Sequence, residues 1–193
     1  MMLTLIVEDG SLPEGANVYA DLDAADAWLV PRGLWPATPV AVDTATGMET
    51  PDAGVVAAKK AALLRGADWL NALPGGRWKS EPVQEGRVMS FPRKAAPGIV
   101  PAAVRLANME LAAVIYGGSN PLAPLEHGGV VQSESRSSSK TVGPLTESAS
   151  HSLNYAADAP PETYYPAVAG LLAPYLDVIP GKSAGGCMAV GRG

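Results

Sequence analysis

Four stretches of this chain repeat apolar residues at helical spacing, and the stretches between them do not. Leu22, Ala25, Trp28 and Leu29 fall on one helical face. Asp21 is placed to cap that helix and Asp23 to meet the positive end of its dipole, while Pro31 and Gly33 stop it. A longer stripe runs through Val55, Val56, Ala62, Leu63, Ala67, Trp69, Leu70 and Leu73. Thr50 suits its N-cap, Pro51 its first helical position, and Pro74-Gly75-Gly76 its end. Lys59, Lys60 and Arg65 punctuate this stripe with charge. Gly66 inside it costs about 1 kcal/mol relative to Ala, which points to close packing or a local bend. A third helix opens at Pro101, buries Val104, Ala107, Leu111, Val114 and Ile115, and ends at Gly117-Gly118. Tyr164-Tyr165-Pro166 opens a last short helix bearing Val168, Leu171 and Leu172, which Pro174 ends or kinks.

This pattern predicts a mainly α fold: a small bundle of about four helices with a β-hairpin or extended arm and a flexible C-terminal tail. Trp28, Leu63, Trp69, Leu70 and Leu111 are the expected core anchors. The helical domain is expected over 1–176, including a Ser-rich arm at about 128–158, with a Gly-rich tail over 177–193. Met2–Val7 is a short apolar run that forms an edge strand or packs down. Pro36–Thr50 reads as a polar connector, and Gly76–Val100 as a long irregular link holding Trp78 and Phe91. The arm contains eight serines and no helical stripe, so two weak strands around a polar turn, or a flexible arm, fit it. Such a segment buries too little apolar surface to hold its own shape and is expected to order on a neighbour.

Composition sharpens this picture. Of 193 residues, 21 are Gly and 18 Pro, so much of the chain lies in loops, arm or tail. Hydrophobic residues reach 47%, but many are Ala and Phe occurs once, so the core is expected to pack small residues around a few large anchors: Trp28, Trp69, Trp78 and several Leu. The formal net charge of −5 argues against a freely binding nucleic-acid protein, which normally carries a basic domain. One segment runs against that balance. Arg77, Lys79, Arg87, Arg93, Lys94 and Arg105 face only Glu81 and Glu85, either as a solvated loop or as contacts to phosphate or an acidic partner. Cys187 is alone, which excludes an intramolecular disulfide and a cysteine-based zinc site. The Met1–Val7 run lacks the length and basic flank of a signal peptide, and no run of about 18 apolar residues could span a bilayer. The chain is expected to be cytosolic, without a membrane partner.

Catalytic chemistry is not expected. Gly181-Lys182-Ser183 resembles the end of a phosphate-binding loop, but Leu176 stands where that loop requires its first Gly. His127 and His151 are the only histidines, each in a loop-like context, and make a poor metal pair. Ser150, His151 and Asp158 offer the residue types of a triad without the Gly-x-Ser-x-Gly elbow. Asp21, Asp23 and Asp26 fit capping and the helix dipole better than a cation site. No catalytic residue, metal or cofactor is expected.

Three blocks, in order, resemble a known family. The first is Val7-Glu8-Asp9-Gly10, then Ala16-Asn17-Val18-Tyr19 and the Ala24-Ala25-Asp26-Ala27-Trp28 helix. The second is Arg65-Gly66-Ala67-Asp68-Trp69-Leu70, followed by Phe91-Pro92-Arg93 where relatives usually have Trp-Pro-Arg. The third is Gly98-Ile99-Val100-Pro101 running into Val104-Arg105-Leu106-Ala107 and Glu110-Leu111-Ala112. Val142-Gly143-Pro144-Leu145 and Tyr165-Pro166-Ala167-Val168 also fit, while Thr38–Met48 and the tail depart from the pattern. Together they resemble the head–tail connector (adaptor) proteins of tailed phages, whose relatives are often labelled DnaT-like single-stranded-DNA-binding proteins.

The resemblance implies a structural virion protein at the neck, assembled in the host cytoplasm. Its copies would form a ring of about twelve between the portal and a stopper or tail component. Double-stranded DNA would pass through the lumen without sequence specificity, where an acidic subunit suits DNA that must slide. Lys182, Met188 and Arg192 in the tail are the expected portal contacts, and the Val130–Tyr155 arm is the other candidate. Single-stranded-DNA binding is the alternative. It would use Arg77, Lys79, Arg87, Arg93 and Lys94 around Trp78 and Phe91.

Overall fold

The computed structural model describes residues 3–73, 77–122, 131–141, 146–155 and 165–178. These divide into two compact units: the described parts of 3–122 with 165–178, and the paired strands of 131–155. The tail residues Lys182, Met188 and Arg192, residues 142–145 and His127 lie outside the described residues. No helix among the described residues is long and apolar enough to cross a membrane.

The first unit is built on four helices, and the architecture is mainly α, as the hydrophobic spacing predicts. Helix α1 spans Leu22–Leu29, and the Asp21 carboxylate caps it by accepting from the Ala24 N–H at 2.7 Å. A 3₁₀ turn over Val30–Arg32 follows, closed by Gly33 at φ 68°. Helix α2 runs from Ala53 to Ala72. Its cap is Asp52, whose carboxylate accepts from the Val55 N–H at 2.9 Å, so Thr50 and Pro51 do not start the helix. They pair instead in a hairpin: β1 (Val40–Val42) lies antiparallel to β2 (Glu49–Pro51). Pro36–Thr50 is therefore more than a connector. Its turn is organised by Asp43, which accepts from the Ala45 and Thr46 N–H groups, and by Gly47 at φ 68°.

Helix α3 (Ala102–Tyr116) packs against α2, and α4 (Pro166–Leu172) packs on α3 through Val168, Ala169 and Leu172. Leu63, Leu70 and Leu111 are wholly buried, each stabilising the fold by about 1.5–3 kcal/mol, and Trp69 joins α2 to Tyr165 edge-to-face at 6.2 Å. Trp28 is half-buried: its indole N–H donates to Glu110 of α3, and the Arg32 guanidinium covers its outer face. Trp35, on which the helical pattern is silent, is buried and meets Tyr116 edge-to-face at 5.8 Å.

Asn108 ties the helix pair together. Its amide donates to the Leu63 carbonyl of α2 at 2.9 Å and accepts from the Tyr19 N–H at 3.0 Å, all out of water. Gly66 faces it so closely that a methyl there would stand 2.9 Å from the Asn108 amide nitrogen and 3.0 Å from its carbonyl oxygen. Close packing, not a bend, is why glycine sits inside α2. Gly66→Ala is expected to destabilise the first unit by about 1–3 kcal/mol despite its better helix propensity. Urea unfolding followed by helical circular dichroism measures this; a neutral or stabilised variant would contradict the close approach.

At the N-terminal end, Val7 makes a parallel bridge with Val18, a lesser element than the edge strand considered for Met2–Val7. Short strand β3 (Arg77–Trp78) pairs antiparallel with β6 (Leu176–Val178), so Asp177 and Val178 belong to the folded unit beside the link. In the second unit, β4 (Val131–Thr141) and β5 (Thr146–Tyr155) form one antiparallel ribbon, from Val131 opposite Tyr155 to Thr141 opposite Thr146, with a bulge near Val131.

Candidate functional site

The cation-rich link is the natural place to look for a binding surface, and its aromatic residues settle first. Trp78 and Phe91 are 9% and 4% exposed, packed edge-to-face at 4.9 Å. Phe91 also meets Tyr19 edge-to-face at 6.3 Å. The Tyr19 hydroxyl donates to Asn71 at 2.6 Å and accepts from the Ser90 N–H at 2.9 Å. Burial pushes this phenol well above the usual tyrosine range, so it is neutral at any physiological pH. Rings this deeply placed hold the link onto the bundle and offer no face to a base.

The cations separate into two groups. Arg87 forms an ion pair with Glu8 at 2.9 Å, off the line of a hydrogen bond, and donates to the Pro13 carbonyl at 2.8 Å. Lys94 meets Glu81 at 2.7 Å on the surface, where the pair holds the Glu81 carboxyl below its ordinary range and the Lys94 ammonium above its own. Arg77 is exposed and approaches Asp177 only to 3.9 Å.

Lys79 and Arg93 are different, because neither has a carboxylate partner among the described residues. The Lys79 ammonium donates to the Pro174 carbonyl at 2.9 Å. Arg93 is half-buried with its guanidinium 5.6 Å from the Trp78 ring and 5.4 Å from the Phe91 ring. Among the described residues its Nε is buried without a hydrogen-bond partner, and burial lowers the guanidinium's pKa while leaving it charged. Lys79 and Arg93 line one cleft of about 250 Å³ with Phe91, Ile99, Pro101 and Tyr175, and among the described residues no acidic side chain lines it. The cleft is apolar with two cations at its wall, suited to an apolar group carrying an anion.

Two charged residues, Lys59 of the helical stripe and Glu8 of the opening turn, are buried structural ones. Lys59 is 0% exposed, and its ammonium donates to Asp26 of α1 at 2.7 Å and to Thr38 at 3.0 Å, 4.8 Å from the Trp35 ring. Asp26 therefore serves as the counter-ion of Lys59 and not as part of the helix start. Glu8 is likewise wholly buried, accepting from the Gly10 and Leu12 N–H groups while pairing with Arg87. Gly10, at φ 110°, lies against the Gly98 carbonyl. The acidic opening block is thus a staple between the N-terminal turn and the link. Its sequence signal was the Glu8-Asp9-Gly10 turn itself; nothing in the pattern pointed to Arg87 as its partner.

Among the described residues no group of three or more His, Cys, Asp or Glu side chains could hold a metal ion. No curated protein and no solved structure matches the chain, and nothing in these comparisons speaks to portals, connectors or virions. Residues 3–193 match the model of the family described as "Putative DnaT-like ssDNA binding protein", and with nearly its whole length covered the chain belongs to that family.

Proposed function

We propose that this chain is a structural subunit that assembles around DNA: a phage head–tail adaptor without catalytic activity. Copies form a ring of about twelve between the portal and a stopper or tail component, with double-stranded DNA in the lumen. It acts at the virion neck after assembly in the host cytoplasm. Lys182, Met188 and Arg192 remain the proposed portal contacts.

The observation that carries the assembly reading is the β4–β5 ribbon. Ser133, Ser135, Ser137, Ser139 and Thr141 alternate along β4 and pair with Asn154, Ser152, Ser150, Ser148 and Thr146 of β5. These alternate register positions are all hydroxyl or amide residues. The intervening positions pair Glu134, Arg136, Ser138 and Lys140 with Leu153, His151, Ala149 and Glu147, and beyond the bulge Val131 pairs with Tyr155. Too few of the paired residues are apolar to build a core, and a two-stranded ribbon is marginal by itself in water. Such an arm belongs against another protein surface, where ordering and assembly are coupled. Replacing residues 131–155 with a short Gly-Ser linker is expected to leave the helical unit folded and to abolish ring formation. Rings that persist in sizing experiments would overturn the arm's role.

The family description supports a second reading, single-stranded-DNA binding, more directly than it supports the adaptor. Lys79, Arg93 and Arg77 would then supply the phosphate contacts. Trp78 and Phe91 are too deeply buried to stack bases, so affinity would rest on charge and fall steeply with salt. Anisotropy of a labelled oligonucleotide, measured from low to high salt, tests it: absence of binding at low salt removes this reading.

A further inference from the structure

Two features of the helical unit are complementary and have no opposite-charge partner among the described residues. The β1–β2 hairpin is exposed along its whole length, and Val42 and Met48 are 57% and 65% exposed. These apolar side chains stand beside the Asp43 and Glu49 carboxylates, and neither carboxylate takes part in an ion pair among the described residues. The Lys79–Arg93 cleft is the opposite: an apolar hollow of about 250 Å³ with two cations and no acid.

We infer that the β1–β2 hairpin of one copy docks into the Lys79–Arg93 cleft of the next, with Met48 and Val42 in the hollow and Glu49 meeting Lys79. This rests on the ring reading and names the contact that closes it. A contact between two different surfaces of the same chain is heterologous, the kind that propagates around a ring. Methionine is well suited to such an insertion, because its unbranched thioether chain adapts to an irregular hollow. Charge complementarity fixes the register and disfavours the hairpin-to-hairpin alternative, in which Asp43 and Glu49 would face their own kind.

The test uses two exposed residues whose replacement leaves the bundle intact. In the full chain, Lys79→Glu and Glu49→Lys are each expected to weaken self-association by about tenfold or more, since each sets like charges against one another. Combined in one chain, they restore the opposite-charge pair and bring assembly back to within a few-fold of the parent, as followed by sedimentation velocity. Singles that assemble like the parent, or a double variant no better than the singles, would overturn this contact while leaving the ring reading intact. A parent chain that stays monomeric at every concentration removes both. If Lys79→Glu lowers single-strand affinity with assembly unchanged, the cleft serves DNA and the inference fails.

Discussion

Asp26→Ala is expected to destabilise the protein by about 3–5 kcal/mol, because it strands a fully buried ammonium without its counter-charge. Lys59 is 0% exposed and reaches Asp26 at 2.7 Å, so the remaining Thr38 hydroxyl and Trp35 face cannot replace a carboxylate. The reverse change is milder. Lys59→Met leaves a carboxylate that is 31% exposed and can recover water, while methionine fills most of the vacated volume. The double variant, with both charges removed, is expected to be more stable than Asp26→Ala alone, since replacing a buried pair by apolar groups is often near neutral. Urea unfolding of the three variants gives the order directly. An Asp26→Ala variant as stable as Lys59→Met would mean the ammonium is not held dry.

Gly10→Ala is expected to cost as much, about 3–5 kcal/mol, by a different route. Gly10 adopts φ 110°, which a residue with a side chain adopts only under strain. A methyl there would also run into the Gly98 carbonyl oxygen, a backbone atom that cannot rotate aside. Strain and overpacking each contribute about 1–3 kcal/mol. The Glu8–Arg87 pair should loosen with the turn, so amide exchange is expected to rise at Gly10 and Leu12, whose N–H groups Glu8 accepts. A fully stable Gly10→Ala protein would mean that the turn and the link are not in contact.

These two sites also mark where the sequence could and could not be read. The helices are legible because Leu63 and Leu70 in α2, and Val104, Ala107 and Leu111 in α3, recur at helical spacing, and because Asp21 caps where a short carboxylate should. Thr50 misled because capping residues crowd that region: Asp52, two residues on, captured the free N–H, while Thr50 went to strand pairing. Lys59 lay in an apolar stripe, and a lysine there is normally a solvated interruption. Only the approach of α1 and the 35–38 segment, both distant in sequence, makes it a core residue. The same holds for Glu8, whose partner lies in the link.

The cation cluster was read as one surface because its members are neighbours in sequence. Folding divides them by partner: Glu8 takes Arg87 and Glu81 takes Lys94, leaving Lys79 and Arg93 on the cleft. Trp78 is expected both as a core anchor and, with Phe91 amid the cations, as a stacking candidate, and the structure bears out the core role. Pairing of β3 with β6 and contact with Tyr19 draw them inside.

The most direct test of the assembly account is electron microscopy of the purified full chain, with and without single-stranded oligonucleotide at low salt. The account gives closed rings of uniform size, unchanged by the oligonucleotide. Monomers that bind the oligonucleotide in a salt-sensitive manner and never close into rings would contradict it.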